Sequence, residues 1–422
     1  MDLNSAEITI IGAGQAGLAL SYHLTALGLS HVILEQGRIV ESWRTKRWDS
    51  LRLIAPNWSL VLPGFAYPGP DPDGFMARDE VVGHLVGYAQ SFGAPVHEGV
   101  RVISVDREAN DSRFVVLTED GEFRTTVVVI ATGALQRPKV PGYAAKIPAT
   151  VMQAVPSEYR NPAELPSGKV LIVGSGETGC QIAEELARAG RDVFLSGGRS
   201  WWAPRRYRGR DIAAWLRLVG WFERLAADLP AGVHAGKPNP QLTGTFGGHD
   251  INPHSLARDG VGLLGRLDGI ADGTAHFADD LSSNVAWGDE QARSLLRTID
   301  GLVDEQGLAA PPADVPEDLL STTRGSEPQY TRDPPGSVAR ELDLRRAGVS
   351  TVIWATGYRP DLKWVHIPLS DADGYPVHWR GVTQVPGLYI LGLDWLHTAK
   401  SGLFAGIGDD AGYVASTIAM RH

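Results

Sequence analysis

An α/β fold with two Rossmann-type dinucleotide-binding domains is predicted for this 422-residue chain by three observations. Two glycine fingerprints lie 162 residues apart, an acid follows the first but not the second, and two apolar strands end in Ala-Thr-Gly. The first fingerprint, Gly12-Ala13-Gly14-Gln15-Ala16-Gly17, follows the strand-like run Ile8 to Ile11; the second, Gly174-Ser175-Gly176-Glu177-Thr178-Gly179, follows Val170 to Val173. In each, the first glycine permits a tight turn, the second lets backbone approach a diphosphate, and the third packs helix against strand. The diphosphate then meets unpaired N–H groups at a helix N-terminus.

The residues after each helix separate the two sites. His31-Val32-Ile33-Leu34 reads as a buried strand ending at Glu35, with Gln36 beside it, placing a carboxylate at the distance suited to a ribose diol. The matching strand Val193-Phe194-Leu195 ends in Ser196-Gly197-Gly198-Arg199, with no acid. A hydroxyl and a forked guanidinium suit a ribose 2′-phosphate. The residues therefore predict FAD or NAD at the first site, with Glu35 and Gln36 contacting it, and NADPH at the second, with Ser196 and Arg199 as the phosphate contacts.

Val127 to Ile130 leads into Ala131-Thr132-Gly133, and Val352-Ile353-Trp354 into Ala355-Thr356-Gly357-Tyr358. Together with Glu41-Ser42-Trp43-Arg44, the run Trp48-Asp49-Ser50-Leu51-Arg52-Leu53, Leu62-Pro63-Gly64, Phe75 to Glu80 and Pro386 to Gly392, these segments resemble the class B flavin monooxygenases. That group comprises microsomal-type flavin monooxygenases, N-hydroxylases, Baeyer–Villiger enzymes and plant YUCCA-type enzymes. The resemblance covers nearly the whole chain in order. It implies FAD at the first site, with Trp43, Arg44, Leu51, Ala131, Thr132 and Gly133 in contact, Val102 meeting adenine through its backbone, and Asp394 meeting the ribityl chain. The helix expected near Ser401 would aim its N-terminus at the flavin ring.

One departure stands out. The family's FxGxxxHxxx(W/Y) oxygenase fingerprint should fall at 147–162, where Tyr159-Arg160-Asn161-Pro162 fits its end but the phenylalanine, glycine and histidine are missing. Gln153 or Val155 stands near the histidine position, and Gln153 is expected either to reach the nicotinamide ribose or to be a structural loop residue.

Composition narrows the class. The length suits two to three domains of roughly 100–200 residues. A net charge of −10 argues against nucleic acid or anionic membranes as partners. A single cysteine, Cys180, excludes an intramolecular disulfide and a redox pair. No signal peptide or apolar membrane span is recognised, so the expected location is cytoplasmic. The lone histidines His249, His254 and His378 have no metal-site spacing, and no metal is expected.

The expected organisation is an FAD domain at 1–146, an inserted NADPH domain at 150–345 with a helical and aromatic insertion near 200–255, and a return to the FAD domain at 347–422. Proline-rich joins are expected at 311–316 and 334–336. Trp201 to Arg210 could clamp the 2′-phosphate and adenine through Arg199 and Arg205 or Arg206, wall the substrate pocket, or form a solvated loop. A helix over 212–229 is expected to pack in the core or at a dimer contact, with a lid over the substrate as the alternative.

The function this implies is a single-component FAD monooxygenase that uses NADPH and O₂ to hydroxylate or N/S-oxygenate a small organic substrate through a C4a-(hydro)peroxyflavin. Asp49 and Asn57, in the segment that by resemblance runs beside the flavin, are the catalytic candidates, though either could equally cap a turn; His397 and Trp395 are candidate pocket residues. The alternatives are an NADPH-dependent flavin oxidoreductase without oxygenation and a dinucleotide-sensing regulatory protein. Partners are then a small molecule and O₂, with a homodimer left open.

Overall fold

The buried runs predicted as strands form two parallel sheets in the computed structural model, which describes residues 6–108, 113–230, 233, 239–321 and 340–421. The join expected at 334–336 lies outside them. Ile8–Ile11, His31–Glu35 and Val127–Ile130 are buried along their whole length, as strands covered on both faces must be. They set the centre of the first sheet, whose order is His378–Trp379, Val382–Thr383, Leu388–Ile390, Val127–Ile130, Ile8–Ile11, His31–Glu35, Val96–Glu98. Its last five strands run parallel.

The second sheet is parallel throughout, in the order Met152–Ala154, Val349–Trp354, Lys169–Val173, Val193–Ser196, Gly262–Leu264. This corrects the expected return at 347. Val349–Trp354 lies beside the Lys169–Val173 strand of the second unit, so the chain re-enters the first sheet only after Ala355-Thr356-Gly357. The two units share one plan, with each glycine-turn strand flanked by a strand ending in Ala-Thr-Gly.

Gly12 and Gly174 have φ of +108° and +113°, and a Cβ on either would stand 2.7 Å from the Ala131 carbonyl oxygen or 2.3 Å from that of Ala355. Only glycine fits there. The turn and the Ala-Thr-Gly strand end therefore interlock, which is why both motifs occur twice.

The helix Gln15–Ala26 packs on the C-terminal helix Phe404–Ala419, bringing the re-entry loop to the first glycine turn. Val102–Arg107, Phe114–Thr118 and Gly121–Thr125 form an antiparallel meander, and Arg78–Ser91 forms a helix. The helix expected over 212–229 is broken. It runs only from Ile212 to Leu218, because Gly220 turns left-handed at φ +70° and two short 3₁₀ turns follow. No described helix is long and apolar enough to cross a membrane.

Trp201, Trp202, Tyr207 and Trp215 are buried and pack on the 26-residue helix Leu281–Gln306 through Ala292, Leu295, Leu296 and Ile299. The stretch read as a clamp or loop is thus largely core. Within it Arg205 is 1 % exposed and pairs through two nitrogens with Asp211, donates to the Ile54 carbonyl at 2.7 Å, and lies 4.6 Å from the Phe75 ring centre. Arg206 donates to the carbonyls of Gly247 and Gly248. Both guanidiniums are engaged within the protein, Arg205 in the core and Arg206 at the surface. Truncating Arg205 to alanine strands the Asp211 carboxylate, so the variant should lose about 3–5 kcal/mol of stability. Denaturant titration measures this loss.

Candidate cofactor and substrate site

A single cavity of about 1700 Å³ runs between the two sheets' C-terminal ends, larger than the roughly 300–1,000 Å³ of a site for one small ligand. Three helices open onto it without a side-chain cap. They begin after Gly14, Gly176 and Leu403, and Gln15 and Ala16, Glu177 and Thr178, and Phe404 and Ala405 line the wall. Uncapped N–H groups and helix dipoles converge there, which makes it an anion site.

On the first side the cavity is lined by Gly12, Gly14, Gln15, Ala16, Glu35, Gln36, Trp43, Leu51, Val102, Ala131, Thr132, Gly133 and Asp394. These are residues that the sequence assigns to the first cofactor. Glu35 accepts from the backbone N–H of Ala13 at 2.9 Å and of Gly37 at 3.1 Å, so it also braces the glycine turn. Its remaining lone pairs stay available for a diol. Burial raises its carboxyl above the usual range against those hydrogen bonds. Gln15 donates to the Gly402 carbonyl, tying the first helix to the re-entry loop. Asp394 lines the cavity, and desolvation there raises its carboxyl. Gly17 packs behind the wall, where a Cβ would stand 2.0 Å from the Gly12 carbonyl oxygen.

On the second side Glu177, Thr178 and Gln181 line the cavity, while Gly174, Gly176 and Gly179 lie off its wall. Gln241, unrecognised in the sequence, donates to the Ser175 carbonyl at 2.6 Å and to Ser200 Oγ at 2.9 Å, holding the second glycine turn. Its Oε1 is buried without a partner. Ser196 is a correction. Its hydroxyl is buried and donates to the Gly265 carbonyl at 2.7 Å, so it is spent within the protein. Arg199 is exposed and makes no hydrogen bond or ion pair with the described residues. Arg266, also missed, comes within 4.0 Å of where a Gly198 Cβ would sit. A glycine-arginine pair just past the Gly262–Leu264 strand was the signal that could have found it.

The catalytic candidates do not face the cavity. Asp49 pairs with Arg78 at 2.8 Å and accepts from Asn161 Nδ2 at 2.8 Å, and these contacts, the Asn161 bond foremost, hold its carboxyl below its ordinary range. With Arg160 donating to the carbonyls of Thr45 and Arg47, it staples the linker at 159–162 to the first unit. Asn57 is buried, donating to the Asp71 carbonyl and accepting from Met76 N–H, both at 2.9 Å, and it clips a loop. Gln153 accepts from Trp354 Nε1 at 3.0 Å within the second sheet, and Arg44 Nε donates to the Ile39 carbonyl; both lie off the wall. His397 likewise lies off it, its backbone bonded to Ser401 and Ala226, whereas Trp395 lines it.

What the cavity does present is an apolar chamber. Leu53, Ile54, Trp58, Leu216, Trp221, Phe222 and Trp395 contribute to it. Arg47 faces the same space 5.2 Å from the Trp43 ring centre, with no carboxylate partner among the described residues. The broken segment 212–229 supplies Ala213, Leu216, Trp221, Phe222 and Ala226, so it both packs in the core and walls the chamber. His254 is packed against Asp289, and no group of three or more metal-ligating side chains occurs among the described residues.

Two anion-binding helix ends from two parallel sheets, facing one cavity, define a two-dinucleotide-binding oxidoreductase. The family pattern described as pyridine nucleotide-disulphide oxidoreductase matches residues 9–218. An uncharacterized CzcO-like oxidoreductase from Geobacillus kaustophilus is 32% identical over 415 residues, 98% of each chain. The indole-3-pyruvate monooxygenase YUCCA4 of Oryza sativa subsp. japonica is 31% identical over 297 residues, 61% of this chain and 64% of that one. A flavin-containing monooxygenase from Stenotrophomonas maltophilia shares the fold, with a TM-score of 0.67 over 99% of both chains at 20% identity. The chain belongs to the CzcO-like oxidoreductases and shares the fold of the two-dinucleotide-binding flavin monooxygenases.

Proposed function

We propose that the protein is an NADPH-dependent FAD monooxygenase acting on a small, largely apolar substrate. The observation that carries this reading is the single cavity that joins both helix ends to the aromatic chamber. The residues fit the two cofactors, since the first glycine turn admits no Cβ and is braced by the acid that would take a ribose diol. FAD would lie against Gly12, Gly14, Gln15, Ala16, Glu35, Gln36, Trp43, Leu51, Val102 and Ala131 to Gly133, with Asp394 and the Phe404–Ala419 helix end at its polar edge. NADPH would lie on the Gly176 to Thr178 turn, with Arg199 toward its 2′-phosphate.

The pair supplies hydride transfer and oxygen activation when bound. The protein's own work is binding, orientation and exclusion of water. Trp221, Phe222 and Trp395 would seat an apolar or aromatic substrate, and the uncapped end of the C-terminal helix favours negative charge on the flavin ring. The relative whose name records indole-3-pyruvate as substrate is consistent with an aromatic occupant. The domain division that follows is a flavin unit interrupted between about 150 and 357 by the nicotinamide unit.

The single cysteine supports oxygen or acceptor chemistry over dithiol chemistry. Cys180 is fully buried, and burial pushes its thiol well above the ordinary range. A second reading, an NADPH:acceptor oxidoreductase, draws on the missing oxygenase fingerprint and on Gln153 being tied to Trp354. Substrate-stimulated NADPH oxidation with one ¹⁸O atom from ¹⁸O₂ in the product supports the monooxygenase; acceptor turnover without incorporation selects the second reading.

Arg199→Ala should raise the KM for NADPH by roughly 10- to 100-fold, about 1.4–2.7 kcal/mol, and leave that for NADH within twofold. Equal losses for both nucleotides would remove Arg199 from the phosphate site.

A further inference from the structure

The second dinucleotide helix begins with an acid where an anion belongs. Glu177 is its first residue, directly after the uncapped Gly176, and it faces the central cavity beside Thr178 and Gln181. No hydrogen bond or ion pair reaches its carboxyl from the described residues. The first helix has Gln15 at the same place, with its amide donated to the Gly402 carbonyl, so nothing there repels a diphosphate. An ionised Glu177 would sit against the nucleotide's own negative charge at the same helix end.

We propose that Glu177 receives the nicotinamide nucleotide as a neutral carboxylic acid that donates a hydrogen bond to it, so that nucleotide binding takes up a proton from solvent wherever the free carboxyl is ionised. This rests on the reading that the helix opened by Glu177 is the nicotinamide nucleotide site. The proton stays on the carboxyl and no other bond is made or broken.

The surroundings favour the neutral form. Burial pushes the Glu177 carboxyl up to about 8, with Arg205 pulling the other way. Arg205 cannot turn to meet it, because its guanidinium is held by Asp211 and the Ile54 carbonyl. On its own helix the facing groups are Cys180, a buried thiol held neutral, and Glu184, already paired with Arg188 and His249. The helix dipole favours the anion in the empty site; an incoming diphosphate reverses that balance. Bound nucleotide therefore raises the Glu177 pKa further. The sign follows: affinity is full below the pKa of the free protein and falls as pH rises through and above it, by up to about tenfold per pH unit.

The test is calorimetric titration of the flavin-loaded protein with NADP⁺ at pH 7, 8 and 9, each in two buffers of different ionisation enthalpy. A 2′-phosphate, with pKa near 6, is about nine-tenths ionised at pH 7 and essentially fully ionised at pH 8 and 9, so it cannot produce an uptake that grows with pH. Proton uptake should be small at pH 7 and rise toward one proton by pH 9, with Kd weakening in parallel. Glu177→Gln, which keeps a hydrogen-bond donor, should take up no proton at any pH and show the same Kd at pH 7, 8 and 9. That variant also separates Glu177 from His249, whose pKa the Glu184 hydrogen bond raises.

Absence of uptake in the wild type at pH 9, or equal uptake in Glu177→Gln, would overturn the proposal. The wild-type count stands even if the variant fails to fold. Failure of NADP⁺ to bind the wild-type protein at any pH is a different result, which removes the nicotinamide site and this role together.

Discussion

A Gly12→Val variant is expected to purify without flavin. At φ +108° the residue occupies backbone space that L side chains rarely adopt, and its new Cβ would sit 2.7 Å from the Ala131 carbonyl oxygen and 3.0 Å from its carbon. Both are backbone atoms of one residue, whose N–H is tied to the Ile11 carbonyl at the strand end, so neither can swing aside. The left-handed strain alone costs about 1–2 kcal/mol. Relieving the overlap moves the turn off Ala131, and with it the N–H groups that face the cavity. Flavin content per protein should fall by roughly tenfold or more, equivalent to at least ~1.4 kcal/mol of binding. Flavin absorbance after gel filtration reads this, with circular dichroism to confirm that the two sheets persist. Full flavin content in a folded variant would remove the N-terminal turn from the flavin site.

Gly174→Val should separate the two sites. The geometry is the same and the clash harder, 2.3 Å to the Ala355 carbonyl oxygen at φ +113°, but the turn belongs to the other sheet. The variant should keep its flavin and remain reducible by dithionite. Reduction by NADPH should slow about 100-fold or more, a loss of at least ~2.7 kcal/mol. Loss of flavin with NADPH reduction intact would invert the assignment of the two turns.

The contrast between these variants follows from what could be read in the residues. Glycine turns, the acid at Glu35 and the paired Ala-Thr-Gly strands were legible because each is a local requirement, set by φ, by a turn or by a two-residue contact. The sheet that Val349–Trp354 joins was not. An apolar run that will be covered on both faces looks the same whichever neighbour it takes, and here its partners are some 180 residues away in the chain.

Side-chain roles failed for a related reason. Asp49 reads as an acid near the flavin, but its partners Arg78 and Asn161 lie 29 and 112 residues on and turn it into a staple. Arg205 reads as a phosphate ligand by type; burial against Phe75 and Asp211 makes it structural. Ser196 stands at the strand end where a phosphate contact belongs, yet the carbonyl of Gly265, 69 residues away, claims its hydroxyl. The aromatic wall was visible only as composition, since Trp221 and Trp395 are brought within 6.4 Å by the crossing of two separate segments.

The most direct measurement is stopped-flow absorbance of the NADPH-reduced protein mixed with oxygenated buffer, without and with aromatic candidate substrates. The monooxygenase account predicts a long-lived absorbing species distinct from both reduced and oxidised flavin, whose decay in the presence of substrate yields oxygenated product. Direct return to oxidised flavin with stoichiometric hydrogen peroxide, unchanged by every substrate tried, would contradict it.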